Sequence, residues 1–460
     1  MNLYICYNDE MKNYLEINKK YILIFLIVCL VVFTSGFARL TYKSFRYNKA
    51  YGHDKSNDET LNFPKGFLWG TATAAYQVEG GNVYSNWWDF EQEEGRIKNG
   101  DRTDIAANHY VMYKQDVDLM NQLNMNSYRF SIEWSRIEPK QGEFDAEEIE
   151  HYRDVLNTLS AKGIKPMVTL WHHSLPYWFE DLGGWERQEN ITYYEEYVSY
   201  VVKNLSSEVD LWITMNEPMA YISCGYISAK WPPGEQDIWK VNRLLKNVIQ
   251  AHKRGYEIIH ASDQEAEVGI AEHSSYAVPY HKNNVIENIA AYSIDYIWTH
   301  YLLEQITDEL DFIGLHYYYR QYINVAAVKD LFGQSLDEFE SGSMDRSYYP
   351  QGLFEVLMRF EDYNKPIYIT ELGVPDYHEI DRDQFIREHL REVYYAIQQG
   401  IDVRGFYYWT LLDCFEWSEG YDAEFGLIDV DRSTMERTIK DESWEYAQIA
   451  NCNCVSNSSD

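Results

Sequence analysis

Eight short apolar runs of strand length recur along this chain, separated by stretches of helical periodicity. The runs fall at residues 66–74, 128–134, 166–172, 211–215, 268–272, 312–318, 366–370 and 403–412. They are rich in β-branched and aromatic residues, as strands are. The stretches 145–162, 238–261, 285–306 and 382–400 repeat apolar residues at three- and four-residue steps. Asp145 and Asp381 stand where an N-cap or first-turn acid belongs. Eight strand–helix units predict one α/β domain, a (β/α)8 TIM barrel. A doubly wound open sheet is the rival, but no Gly-rich phosphate-binding turn follows the first run.

The barrel is expected over residues 62–451. Residues 1–46 form a hydrophobic leader, 47–61 a polar linker and 452–460 a polar tail. Within the leader, residues 21–33 are almost wholly apolar, and Lys19 and Lys20 precede them. Gly36 and Ala38 suit a signal-peptidase cut after Ala38. Uncut, the segment 21–40 approaches the ~20 residues that span a bilayer. The leader therefore reads as a signal peptide or a membrane anchor, with the body outside the cytoplasm, secreted or anchored. Asn190, Asn204 and Asn457 begin N-glycosylation sequons.

The formal charge is −33, and the excess acid lies in the body, because the leader holds more Lys and Arg than Asp and Glu. Such a surface repels phosphate backbones, which excludes a nucleic-acid partner. Cys452 and Cys454 form a C-x-C without His or further Cys nearby, a poor zinc pattern, and their pairing is left open. No feature specifies an oligomeric state.

In a β/α barrel the functional residues lie at the C-terminal ends of the strands. The first run offers Gln77 and Glu79 there; the second offers Arg129, Glu133 and Trp134. His172 and His173 end the third, Asn216 and Glu217 the fourth, His316 and Tyr318 the sixth, and Glu371 the seventh. Trp409, Glu416 and Trp417 belong to the eighth. No three metal ligands recur at fixed spacing, and consecutive strand residues such as His172 and His173 are expected on opposite faces. Neither a metal nor another cofactor is called for. The mixture suits a polyhydroxylated small molecule: Gln, His, Asn and Glu for hydroxyl groups, Trp for a ring face. Two carboxylates at opposing strand ends are what cleavage of a glycosidic bond needs.

In these segments the chain resembles glycoside hydrolase family 1, the β-glucosidase-type retaining β-glycosidases. The matching motifs run in order over residues 63–431. They are FPKGFLWGTATAAYQVEGG, YRFSIEWSRIEP, TLWHHSLP, TMNEP, DFIGLHYYY, ITELG, YYWTLLDCFEW and FGLIDVD. The resemblance implies that Glu217 is the acid/base and Glu371 the nucleophile. It implies that Asn216 holds the sugar 2-hydroxyl. Gln77, His172, Glu416 and Trp417 would bind the other hydroxyls, above Trp409 as platform. Arg129 and Tyr318 would contact the nucleophile. A cation and a phenol there favour the ionised carboxylate, and the charge of Glu371 is expected to raise the pKa of Glu217. The chain departs from the family pattern at His316 and Leu372, where Asn is usual. It departs again at His173, where Trp is common, and at Glu424, where a basic residue often stands. The body is also short, which implies trimmed loops on the leaving-group side.

The expected function is that of a retaining β-glycosidase acting on terminal β-linked sugars of small glycosides or oligosaccharides. The alternatives are a transglycosidase using the same covalent intermediate and a membrane-anchored sugar-binding homologue. Retention of both glutamates argues against the latter.

Overall fold

The computed structural model describes residues 60–324, 348–376 and 381–456. The leader, the linker as far as residue 59 and the end of the tail with Asn457 lie outside the described residues. Eight parallel strands close a barrel. They are β1 (Leu68–Ala72), β2 (Ser127–Ser131), β3 (Lys165–Trp171), β4 (Leu211–Asn216), β5 (Glu267–His273), β6 (Phe312–His316), β7 (Ile367–Leu372) and β8 (Val403–Trp409). Sheet neighbours follow chain order, and β8 closes on β1 with Phe406 opposite Trp69. This is the (β/α)8 barrel that the eight runs specify.

Alternate side chains enter the barrel or face the helices. On β4, Leu211 and Ile213 point in, while Trp212 joins the helix-side core. The interior is filled. Tyr407 reaches Ser127, hydroxyl to hydroxyl at 2.8 Å, across Gly70. A Cβ at Gly70 would lie 2.5 Å from that ring. Phe312 covers Gly269 in the same way and meets Tyr368 edge-on at 5.1 Å. A packed interior leaves the strand ends as the place for a ligand.

Asp145 caps the helix Ala146–Ala161 by accepting from the Glu147 N–H at 2.8 Å. Asp381 holds the N-cap position of Arg382–Gln398, yet its side chain accepts no bond there. Residues 238–240 form a 3₁₀ turn, and the helix proper is Val241–Ser262. The expected single helix over 285–306 is interrupted by a π-turn, Tyr296–His300. Arg359 holds Asp295 at 2.7 Å and Tyr363 holds His300 at 2.8 Å, which pins both ends of the wide turn.

Thr60–Asn62 pairs antiparallel with Cys454–Ser456, and Leu61 is fully buried. The folded body therefore begins before the expected boundary at residue 62 and runs past the one at 451. Cys452 and Cys454 are joined by a disulfide. Asn190 is buried and donates to the Gly184 carbonyl at 2.9 Å, so its sequon is closed to a glycan in the folded body. Among the described residues no helix is long and apolar enough to cross a membrane.

Candidate active site

Simple alternation aims most of the site. Ser127 and Arg129 share the inward face of β2, while Tyr128 and Phe130 pack against helices. On β6 the inward stripe starts at Phe312 and reaches His316, and continues to Tyr318. The two glutamates break the rule. On β4, Thr214 bonds His252 of the helix layer and Met215 also packs outward, so two consecutive residues face the helices. The ladder slips between Ile213 and Asn216, and Asn216 turns inward. On β7, Ile369 and Leu372 both face the helices with an inward pair between them, and the ladder slips there too. β-Bulges re-aim side chains in this way. Glu217 follows with φ 40°, a left-handed conformation at the N-cap of Pro218–Tyr226, held by its N–H to the Ala271 carbonyl at 2.8 Å. Non-glycine residues in this region carry strain and concentrate at functional sites.

These devices bring the two carboxyl groups together. Glu371 accepts from Arg129 Nη1 at 2.5 Å and from the Tyr318 hydroxyl at 2.9 Å. Arg129 also donates to Thr169 Oγ1 at 3.2 Å, to the Thr370 carbonyl at 3.2 Å and to Asn216 Oδ1. His316 Nδ1 bonds Glu217 Oε1 and lies 3.4 Å from Glu371 Oε2. A carboxylate oxygen of Glu217, one of Glu371 and a ring nitrogen of His316 lie within 4.8 Å of one another. Arg129 already supplies the positive charge at this point, so the three form a hydrogen-bonded cluster rather than a metal centre.

Burial raises the Glu217 carboxyl above its ordinary value, with His273 and Arg129 pulling the other way. The charge of Glu371, expected from sequence to cause the rise, is instead paired with Arg129. Burial drives the Tyr318 phenol well above its usual range, and Glu371 adds to it, so the hydroxyl stays a donor. Burial lowers His172 well below the ordinary histidine value, helped by His173, Arg129 and His316.

A second group lines the same end of the barrel. Gln77 donates to the Phe415 carbonyl at 2.7 Å and to Glu416 at 3.1 Å, while its Oε1 is buried without a partner. His172 lies near-parallel to Trp409 and Trp417, at 6.0 and 6.1 Å. Its Nδ1 is likewise unpartnered. Both atoms are available to hydrogen-bond the hydroxyl groups of a ligand.

Other strand-end residues lie elsewhere. Glu79 bonds Arg136 and Tyr152, each at 2.8 Å. Glu133 accepts from the hydroxyls of Ser135 and Ser174, each at 2.7 Å. Trp134 stacks on Tyr197 in the helix-side core. His172 and His173 do not face opposite ways. The strand ends at Trp171, and His173 adopts φ 66°. It bonds Asn216 at 3.2 Å and packs on Trp231 and Trp417. One residue was missed. His273, opposite His316 in register on β5, lies 3.9 Å from Glu217. Its signal was its inward position at the end of the fifth run.

Two carboxyl groups this close at the strand ends of a barrel are the arrangement that retaining glycoside hydrolysis uses. Similarity to known proteins makes that class specific. The sequence profile described as glycosyl hydrolase family 1 matches residues 59–304 and 298–455. Beta-glucosidase A of Thermotoga maritima is 31% identical over 439 residues, covering 85% of this chain and 98% of its own. A chloroplastic galactolipid galactosyltransferase of Arabidopsis thaliana is 33% identical over 360 residues, covering 73% of this chain and 56% of its own. Among solved structures, the Thermotoga maritima β-glucosidase in complex with glucoimidazole matches with a TM-score of 0.79 at 30% identity. That match covers 85% of this chain and 99% of the other. The chain belongs to glycosyl hydrolase family 1 and acts on O-glycosyl bonds.

Proposed function

We propose that the protein is a retaining β-glycosidase of β-glucosidase type, acting on the terminal β-linked sugar of a small glycoside. The observation that carries this is Glu371 held between Arg129 and Tyr318, with a Glu217 oxygen within 4.8 Å of it. Retaining enzymes hold their carboxyl groups about 5–5.5 Å apart, because no attacking water need fit between sugar and nucleophile. A carboxylate oxygen of Glu371 attacks the anomeric carbon as the bond to the leaving oxygen breaks. Glu217 gives its proton to that oxygen. Glu217, now ionised, then takes a proton from water as the water displaces Glu371 and frees the sugar. Gln77, His172, Asn216, Glu416 and Trp417 hold the sugar hydroxyls over Trp409. The glucoimidazole bound to the Thermotoga relative supports a glucose-like ligand. The apolar segment 21–40 supports a place outside the cytoplasm, secreted or anchored.

The test is a panel of aryl β-glycosides with the wild type beside Glu371→Gln, the first product followed by NMR. Release of the β-anomer by the wild type and loss of turnover in the variant are expected. Release of the α-anomer would overturn the mechanism. Transfer of the sugar to an alcohol is a second reading, favoured by the galactosyltransferase relative. Product analysis with added alcohol separates it from hydrolysis.

A further inference from the structure

His316 stands where the family pattern usually has Asn, and its ring touches both carboxyl groups. Its two nitrogens are not equivalent. Nε2 lies 3.2 Å from Arg129 Nη1. A guanidinium only donates, so Nε2 must accept, and the ring proton resides on Nδ1. The ring is fully buried. Burial and Arg129 push its pKa down to about 3 against the upward pull of Glu371, so the ring is neutral at working pH. That N–H is given to Glu217 Oε1, while Glu371 Oε2 lies 3.4 Å from the same nitrogen.

We propose that His316 is a positioning residue whose single Nδ1–H holds Glu217 and stabilises it once it has ionised in the glycosyl-enzyme. The proposal rests on the retaining reading above. In the free enzyme Glu217 holds the proton and takes the N–H on its Oε1 as a neutral acceptor, while Arg129 and Tyr318 serve the charged Glu371. Once Glu371 is esterified and Glu217 has given up its proton, Glu217 is the only charged acceptor of the pair. His316 never releases its own proton, so the proton count of each step is unchanged. Contact with Oε1 also leaves Oε2 of Glu217 for the leaving oxygen. The other charged or titratable groups about Glu217 are Arg129 on β2, Glu272 and His273 on β5, Tyr318 after β6 and Glu371 on β7. Of these, Arg129 is held by Glu371, and His273 stands 3.9 Å away. The stabilisation falls on the ionised base, and therefore on the second chemical step.

A dinitrophenyl β-glucoside isolates that step, because its leaving group needs little protonation. With this substrate His316→Leu is expected to lower kcat about tenfold or more, the scale of one hydrogen bond to a charged group. KM should fall in parallel, leaving kcat/KM nearly unchanged. His316→Gln places its amide at the Nε2 position and should behave like the Leu variant, which covers a failure of the latter to fold. His316→Asn places an N–H at the Nδ1 position and should retain the wild-type split. Nitrogen NMR of histidine-labelled wild type should find His316 protonated on Nδ1 alone. An Nε2–H tautomer, equal falls of kcat and kcat/KM in the Leu and Gln variants, or an Asn variant as impaired as Leu would overturn the proposal while the retaining reading stands. Release of the α-anomer by the wild type would overturn both.

Discussion

Glu371 accepts from Arg129 at 2.5 Å although the two enter the barrel from different strands, β7 and β2, and both side chains are buried. Removing one partner of a buried pair leaves the other charge without compensation, a cost of about 3–5 kcal/mol. Arg129→Met is therefore expected to lose stability of that order in urea denaturation and to lose most turnover. An unchanged unfolding midpoint would mean that Tyr318 alone suffices for Glu371.

The closure of the chain ends makes a second prediction. Leu61 is fully buried, and Phe63 packs on Phe67 and Trp69, with ring centroids 4.9 Å apart in each case. A chain beginning at residue 50 keeps these contacts and should be soluble and active without detergent. One beginning at residue 66 forfeits two buried side chains, about 3–6 kcal/mol at 1.5–3 each, and the pairing of Thr60–Asn62 with Cys454–Ser456. Thermal melting of the two chains should separate them clearly. Equal melting temperatures would show that the strand pair contributes nothing.

The eight strands were legible because each run is short, apolar and bounded by polar residues. Alternation along those runs aims Arg129, His316 and Trp409 inward. The same rule turns Asn216 and Glu371 toward the helices. Motif resemblance located them; alternation alone did not, because the slips in β4 and β7 leave no mark in hydropathy. Glu79 and Glu133 failed for the opposite reason. Their strand-end positions matched, but Arg136, Tyr152 and two serines consume their oxygens. Such partners come from other segments, and no local pattern announces them. The π-turn at Tyr296–His300 escaped likewise, since one inserted residue barely disturbs helical spacing.

Glu272 faces outward beside Ile270 and is fully buried. Among the described residues no cation pairs with it. Burial raises its pKa well above the ordinary carboxyl value, and Glu217 adds to the rise. A folded-state pKa above the unfolded one contributes stability that is complete below the unfolded value, about 4.3. That contribution is lost as pH rises toward the folded value. Glu272→Gln should therefore gain stability over the wild type as pH is raised from 5 to 8, read by denaturant titration at each pH. A difference independent of pH would mean that Glu272 is already charged or hydrated in the native state.

The last prediction separates the roles of the two glutamates by the products they allow. Glu371→Ala removes the attacking oxygen and opens space on the face opposite the leaving group. Turnover should nearly vanish. Added azide, small and anionic, can enter that space and displace the leaving group once, with inversion, giving an α-glycosyl azide. Glu217→Ala leaves the nucleophile in place. With an activated aryl glycoside the first step should survive, because the leaving group needs little protonation, while the second slows for want of a base. Azide needs no deprotonation, so it should intercept the glycosyl-enzyme and, after two inversions, yield the β-glycosyl azide. The anomeric coupling constant in proton NMR distinguishes the products. A β-azide from Glu371→Ala, or an α-azide from Glu217→Ala, would reverse the assignment, because each stereochemistry demands a different number of displacements at the same carbon.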